Sequence, residues 1–203
     1  MIDLEKFMNE ESDIPFLIKT GLAHVQFETI HPFLDGNGRI GRLLIVLMLV
    51  QEGLLENPIL YPSYHFKKHR HEYYQRLDRV RTHGDYEGWI SYYLKAIKES
   101  ARDALLRTQE IEKLEKDLIE KITKDRAFFK IREISLIILS LLFRMPVTTA
   151  QELVPLTGKS LNTIKNIINI FQSHHILEET GDLTKAKLFR FVPYLEILEK
   201  DIS

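Results

Sequence analysis

The sequence predicts a mainly α protein: a helical bundle followed by a small α+β winged helix-turn-helix domain. Three observations predict it. Apolar residues recur at three- and four-residue spacing along most of the chain. Glycine and proline cut that pattern into helix-length pieces. Near the C-terminus, three short helical segments give way to two strand-like runs around a turn, which is the layout of a winged helix-turn-helix. The expected division is a larger helical core at 1–107, a connecting helix at 108–127 and the small domain at 128–203.

Each element has its own signal. Phe16, Leu17, Leu22, Val25, Phe27 and Ile30 place a helix over 14–30, with Ser12, Asp13 and Pro15 at its start. Residues 32–38 are rich in breakers and form a loop. A second helix runs from Arg39 to about Glu52 and stops at Gly53. Because Leu43 to Val50 is apolar on every side, this helix is expected to be central and buried. Asn57-Pro58 and Tyr61-Pro62 punctuate the next stretch. Helices follow over 69–81, closed by His83-Gly84-Asp85, and over 86–106, with Trp89, Ile90, Tyr93, Leu94 and Ile97 on one side. The charged stretch 108–124 carries Ile111, Leu114, Leu118 and Ile122 at heptad-like spacing, suited to its own domain or to a partner helix. In the last domain, helices are expected over 131–143, 150–156 and 160–173, capped by Thr148 or Thr149 and by Ser160. Runs at 176–179 and 188–192 flank a Gly181-Asp182 turn.

Composition narrows the function classes. The chain has 203 residues, 44% of them hydrophobic, enough for a real core. It has no cysteine, which excludes disulfides and thiolate metal sites. The net charge of -1 gives no global attraction to nucleic acid or anionic membrane. The longest unbroken apolar run, Leu43 to Val50, is too short to span a bilayer, and the N-terminus has no signal-peptide pattern. A soluble, cytoplasmic protein is expected.

The chemistry concentrates in His31-Pro32-Phe33-Leu34-Asp35-Gly36-Asn37-Gly38-Arg39-Ile40-Gly41-Arg42. Glycines just before a helix let successive N–H groups converge on one anion, and the positive helix end adds to that field. Arg39 and Arg42 share a face on the first turn and suit a polyphosphate. A lone acid among these donors, Asp35, is explained by a divalent cation bridging it to the phosphates, with magnesium the obvious choice. His31 ends the preceding helix and suits a general base near neutral pH. Taken singly, each residue fits an ordinary turn or a solvated surface; together they describe a phosphate-binding loop with a metal and a base. The residues alone do not decide which phosphorus reacts.

The segment resembles the Fic-family signature His-Pro-Phe-x-(Asp/Glu)-Gly-Asn-Gly-Arg-x-x-Arg and matches it at every fixed position. The similarity runs from Leu4 to about Ala104, including Tyr73-Tyr74 and the Gly84-Asp85 turn. The resemblance implies a protein adenylyltransferase that moves AMP from ATP to a Tyr, Thr or Ser hydroxyl of a target protein. It implies that His31 deprotonates that hydroxyl, that Pro32 and Phe33 shape the loop, and that Asp35 holds magnesium. Gly36, Asn37 and Gly38 would cradle the α- and β-phosphates, Arg39 would support them, and Arg42 would reach the γ-phosphate. Tyr73 and Tyr74 would line the nucleotide pocket. A relative that transfers phosphate has lysine at the place of Gly38, so Gly38 favours AMP transfer.

The chain also departs from the family. Members usually carry more sequence upstream, with a β-hairpin flap that aligns the target peptide and often an inhibitory helix bearing Ser/Thr-x-x-x-Glu-Gly/Asn. Here Thr108 to Glu112 is followed by Lys113 and Thr148 to Glu152 by Leu153, so both fit ordinary capping or solvation. The alternative is therefore a weak or inactive Fic-like regulator acting through its winged-helix domain. Residues 128–203 carry nine Lys/Arg against eight Asp/Glu, which does not favour DNA binding even though 160–173 presents Asn162, Thr163, Lys165 and Asn166. A homodimer through 110–124 is compatible with the pattern. His65 and His69 have the i, i+4 spacing of a zinc pair, but no acid lies between them and Lys67 and Lys68 disfavour a cation.

Overall fold

The computed structural model describes residues 1–56, 60–181 and 187–200. The expected breakers Asn57-Pro58 and the Asp182 half of the expected turn lie outside them. The chain divides into two units, Met1–Leu106 and Arg107–Ser203.

The first unit is all helical: α1 (Ile2–Asn9), α2 (Phe16–Ile30), α3 (Asn37–Gln51), α4 (Pro62–Lys68), α5 (Arg70–His83) and the first part of α6 (Tyr86–Lys124). The expected helix over 14–30 begins at Phe16, because Pro15 occupies the N-cap and no Ser or Asp side chain caps the turn. Helices α1 and α4 carried no readable signal; each is at most eight residues long, too short for a clear period. Pro62 opens α4, where its missing N–H costs nothing. Gly84, at φ +66°, closes α5.

Two close approaches set this unit. At Gly21 the Trp89 indole donates to the backbone carbonyl at 2.8 Å, and an added Cβ would lie 2.7 Å from the Tyr93 ring. At Gly41 an added Cβ would lie 2.6 Å from Glu28 Oε1 and 3.1 Å from the Phe27 ring. Glycine at each point lets α2 press onto α6 and onto α3. Around these contacts Ile45, Leu49, Phe66, Trp89 and Tyr93 are fully covered.

Helix α3 is not buried on every side. Leu43 and Leu47 are 55% and 53% exposed, and Ile40 lies on the same stripe. Its packed residues are Gly41, Ile45, Val46, Met48 and Leu49. An all-apolar sequence cannot reveal which stripe finds partners.

The expected helices over 86–106 and 108–124 are one continuous α6. The second unit holds its C-terminal part, a 3₁₀ turn (Arg126–Phe128), α7 (Arg132–Arg144), β1 (Val147–Thr149), α8 (Ala150–Thr157), α9 (Leu161–Ser173), β2 (Leu177–Thr180), β3 (Leu188–Phe191) and α10 (Val192–Glu199). Leu118 and Ile122 are buried in this unit's own core beside Ile138, Leu139, Ile167 and Phe171, so the heptad-like stripe serves its own unit. Strands β2 and β3 pair antiparallel as expected, and β1, which was not foreseen, pairs with the other edge of β3 in the order β1-β3-β2. Thr149 and Glu152 form a capping box on α8, and Ser160 caps α9. Helix α10 was also not foreseen. Its carbonyl end is held by Arg107, which donates to Ile197 O at 2.6 Å and Lys200 O at 2.7 Å.

Among the described residues, no helix is long and apolar enough to cross a membrane.

Candidate active site

Helix α2 ends in an unusual way. The His31 N–H donates to Phe27 O at 3.0 Å, and His31 itself is left-handed, with φ +50° and ψ 57°. Glycine usually takes this place because it has no Cβ to strain. A histidine there costs about 1–3 kcal/mol, a strain that gathers at functional sites. Its side chain is exposed. Pro32 follows, and the Phe33 ring packs on Phe27 with centroids 6.4 Å apart.

The loop is then locked by one side chain. Asn37 is 2% exposed. Its Oδ1 accepts from Phe33 N–H at 2.9 Å, and its Nδ2 donates back to Phe33 O. The Asn37 amide thus braces the turn, and only its backbone belongs to the N-terminal end of α3. Gly36, at φ +83°, provides the left-handed turn into α3. No side chain caps α3 and no acid stands in its first turn, so its leading N–H groups remain available to an anion.

The charged groups take two different settings. Asp35 and Arg39 form an exposed pair at 3.4 Å, with side chains 94% and 78% accessible. Such a pair holds little energy and opens readily to a ligand. Arg42 is half-buried. Its guanidinium folds over Gly38, where an added Cβ would meet Nη1 at 3.0 Å.

Beneath Arg42 lies a chain of buried polar groups that spacing alone did not reveal. His24 is 1% exposed and stacks on Phe66 and Trp89, each 5.8 Å away. Its Nδ1 lies 2.9 Å from Gly41 O and its Nε2 2.9 Å from the Tyr73 hydroxyl. A carbonyl can only accept, so Nδ1 carries the proton and Nε2 accepts from Tyr73. Burial lowers the His24 pKa to about 4 against the opposing Gly41 bond, and the Arg42 charge lowers it further. The ring stays neutral at physiological pH.

Tyr73, expected to line the nucleotide pocket, lies buried at the foot of this chain. It is 2% exposed, and burial together with the Glu28 charge pushes its pKa up while the neighbouring Arg42 opposes the rise. Tyr74 is 52% exposed and carries the Arg70 guanidinium 5.6 Å above its ring. Glu28 is a second residue without a sequence signal. It is 5% exposed, its Oε1 has no hydrogen-bond partner among the described residues, and burial raises its pKa against the charges of Arg42, His31 and Arg81. One signal could have suggested both: His24 and Glu28 are four apart, on the face of α2 that meets Gly41.

Residues 1–49 match the Fic/DOC family, a stretch that takes in α1, α2, the loop and nearly all of α3. A probable protein adenylyltransferase of Aquifex aeolicus (strain VF5) is 47% identical over 49 residues, 24% of this chain and 15% of that protein. The protein adenylyltransferase Fic of Nematostella vectensis is 31% identical over 130 residues, 60% of this chain and 29% of that protein. A crystal structure of a Fic family protein from Desulfovibrio desulfuricans G20 aligns at a TM-score of 0.48 and 21% identity, covering 94% of this chain and 53% of that one. This chain thus spans less than a third of each of the two curated relatives. The family match falls on the residues that build the strained histidine, the braced loop and the open helix end, so residues 1–49 of this chain are similar to the Fic/DOC family.

Proposed function

We propose that this chain carries the AMP-transferring core of a protein adenylyltransferase, acting on a hydroxyl of a target protein. The observation that supports it most is His31 held left-handed at the end of α2, immediately before the open N-terminus of α3. In this reading His31 is the base and the N-terminus of α3 is the phosphate-binding end, served by Arg39, Arg42 and Asp35.

In this reading the leading N–H groups of α3, past Gly36, bind the α- and β-phosphates of ATP. Arg39 leaves its exposed pair with Asp35 to support them, and Arg42 reaches the γ-phosphate. The His31 imidazole takes the proton from the incoming hydroxyl. The hydroxyl oxygen bonds to the α-phosphorus, the bond from that phosphorus to the α,β-bridging oxygen breaks, and pyrophosphate leaves. The Asp35 carboxylate is open to solvent rather than consumed by interior bonds, which fits a magnesium ligand. Magnesium, when bound, supplies neutralisation of the phosphate charge. His24 and Tyr73 touch no substrate; they position Arg42 and the start of α3.

The decisive experiment incubates the protein with magnesium and α-labelled ATP, alone and with cell lysate, beside His31→Ala. Label on protein that depends on His31 supports the reading. Equal labelling by His31→Ala overturns the base assignment, and ATP binding without any label points instead to a regulator acting through the second unit.

A further inference from the structure

Three side chains outside the loop converge in the first unit. His65 lies on α4 and is buried, while His69 sits at the joint between α4 and α5, four residues on. Their rings are 4.5 Å apart between centroids. Glu99, on α6, brings Oε2 to 3.1 Å from His65 Nδ1. One ligand atom from each of the three lies within 4.8 Å of the others. The sequence offered only the histidine pair; the fold supplies the missing acid from 30 residues downstream.

We propose that His65, His69 and Glu99 form a binding site for a borderline divalent cation of the zinc type. Two imidazoles and one carboxylate leave a fourth position for water, a donor set that suits zinc and, by the usual affinity order, nickel or cobalt. At ligand bonds of about 2.0–2.1 Å, tetrahedral donors stand roughly 3.4 Å apart. Glu99 Oε2, at 3.1 Å from His65 Nδ1, is already within that spacing, and the exposed His69 would turn inward to complete it.

The charges nearby allow it. Lys68 lies over the Tyr64 ring at 5.7 Å rather than over the imidazoles. Arg76 is committed to Glu72 at 3.3 Å. Lys95 and His69 oppose a further positive charge at His65, and Glu99 and Glu72 favour one. The Tyr92 hydroxyl, buried and without a partner among the described residues, belongs to a ring 5.9 Å from that of His65 and feels the charges of Glu72 and Glu99. A plain His65–Glu99 hydrogen bond accounts for one contact but not for the approach of His69.

A cation here would tie the α4–α5 joint to α6. Phe66, next to His65, stacks on His24 at 5.8 Å and on Tyr73 at 4.8 Å, so the tie would stiffen the support beneath Arg42. The site stands independently of the AMP-transfer reading.

The test titrates zinc into tag-free, chelator-stripped protein by calorimetry, in excess magnesium to fill oxygen-only sites. Thermal unfolding with and without zinc provides the second readout. One zinc per chain is expected, with a raised melting temperature. His69→Ala and Glu99→Gln change exposed side chains and should fold normally by circular dichroism. Each is expected to weaken zinc binding by roughly tenfold or more and to abolish the thermal shift. Zinc affinity retained in either folded variant overturns the three-ligand site. So does the absence of binding by the parent protein below about 100 µM.

Discussion

The Tyr73 hydroxyl donates to Nε2 of His24 at 2.9 Å, across 49 residues of chain, and beside that hydroxyl lies the Arg42 guanidinium. The other ring nitrogen of His24 donates to Gly41 O, one residue before Arg42. Arg42 therefore rests on a buried, neutral polar chain. Removing the hydroxyl with Tyr73→Phe leaves Nε2 buried and unpartnered. The expected cost is about 1–3 kcal/mol of stability, read as a lower urea midpoint at unchanged slope.

Two glycines in one helix should respond in opposite ways. An alanine at Gly41 meets Glu28, Phe27 and His24 at once, with 2.6 Å to the nearest atom, inside packed structure. Gly41→Ala is expected to cost about 1–3 kcal/mol. At Gly38 the three nearest atoms to a new Cβ belong to the flexible end of Arg42. Gly38→Ala is expected to leave stability unchanged or raised by up to about 1 kcal/mol through helix propensity. Its effect should instead appear as weaker ATP binding, because the guanidinium is displaced. Thermal melts and nucleotide titration of both variants check the contrast.

Arg42→Ala should weaken ATP binding by roughly tenfold, the loss of one charge-assisted phosphate contact. ADP, without the γ-phosphate, should lose much less. Equal losses for ATP and ADP would remove the γ-phosphate assignment.

Acid should destabilise the protein through His24. Its folded pKa, about 4, lies below the unfolded value of 6.5. As pH falls from 6.5 towards 4 the unfolded chain takes up a proton that the folded ring refuses. Stability contributed above pH 6.5 is lost over that window, to a total on the order of 3 kcal/mol. Glu28 acts in the opposite sense. Burial raises its pKa from 4.5, so its contribution is full below 4.5 and is lost as pH rises through the raised value. Glu28→Gln should therefore make the fall of stability on acidification steeper. Urea midpoints across this range test the slopes, and an NMR titration should find the His24 ring neutral at pH 5.

Asn37→Ala should loosen the loop without touching a charge. It removes both bonds to the Phe33 backbone and leaves that N–H and C=O unpaired. A loss of about 1–3 kcal/mol is expected, together with faster hydrogen exchange at Phe33.

The sequence by itself determined the parts that depend on near neighbours. The period of apolar residues placed α2, α3, α5, α7 and α9. Gly84 marked a helix end, and Thr148 or Thr149 and Ser160 marked starts, because caps and turns are settled within a few residues. The loop at 31–42 was legible because its chemistry is written contiguously. Tertiary structure decided whatever needed partners distant in sequence. It put His24 under Tyr73, brought Glu99 to His65, paired β1 with β3 and left Leu43 and Leu47 open on a helix whose sequence is apolar all round. It also turned the Asn37 amide onto its own loop and Tyr73 into the core. A polar side chain's type states what it can bond, but only packing determines which of its partners comes within reach.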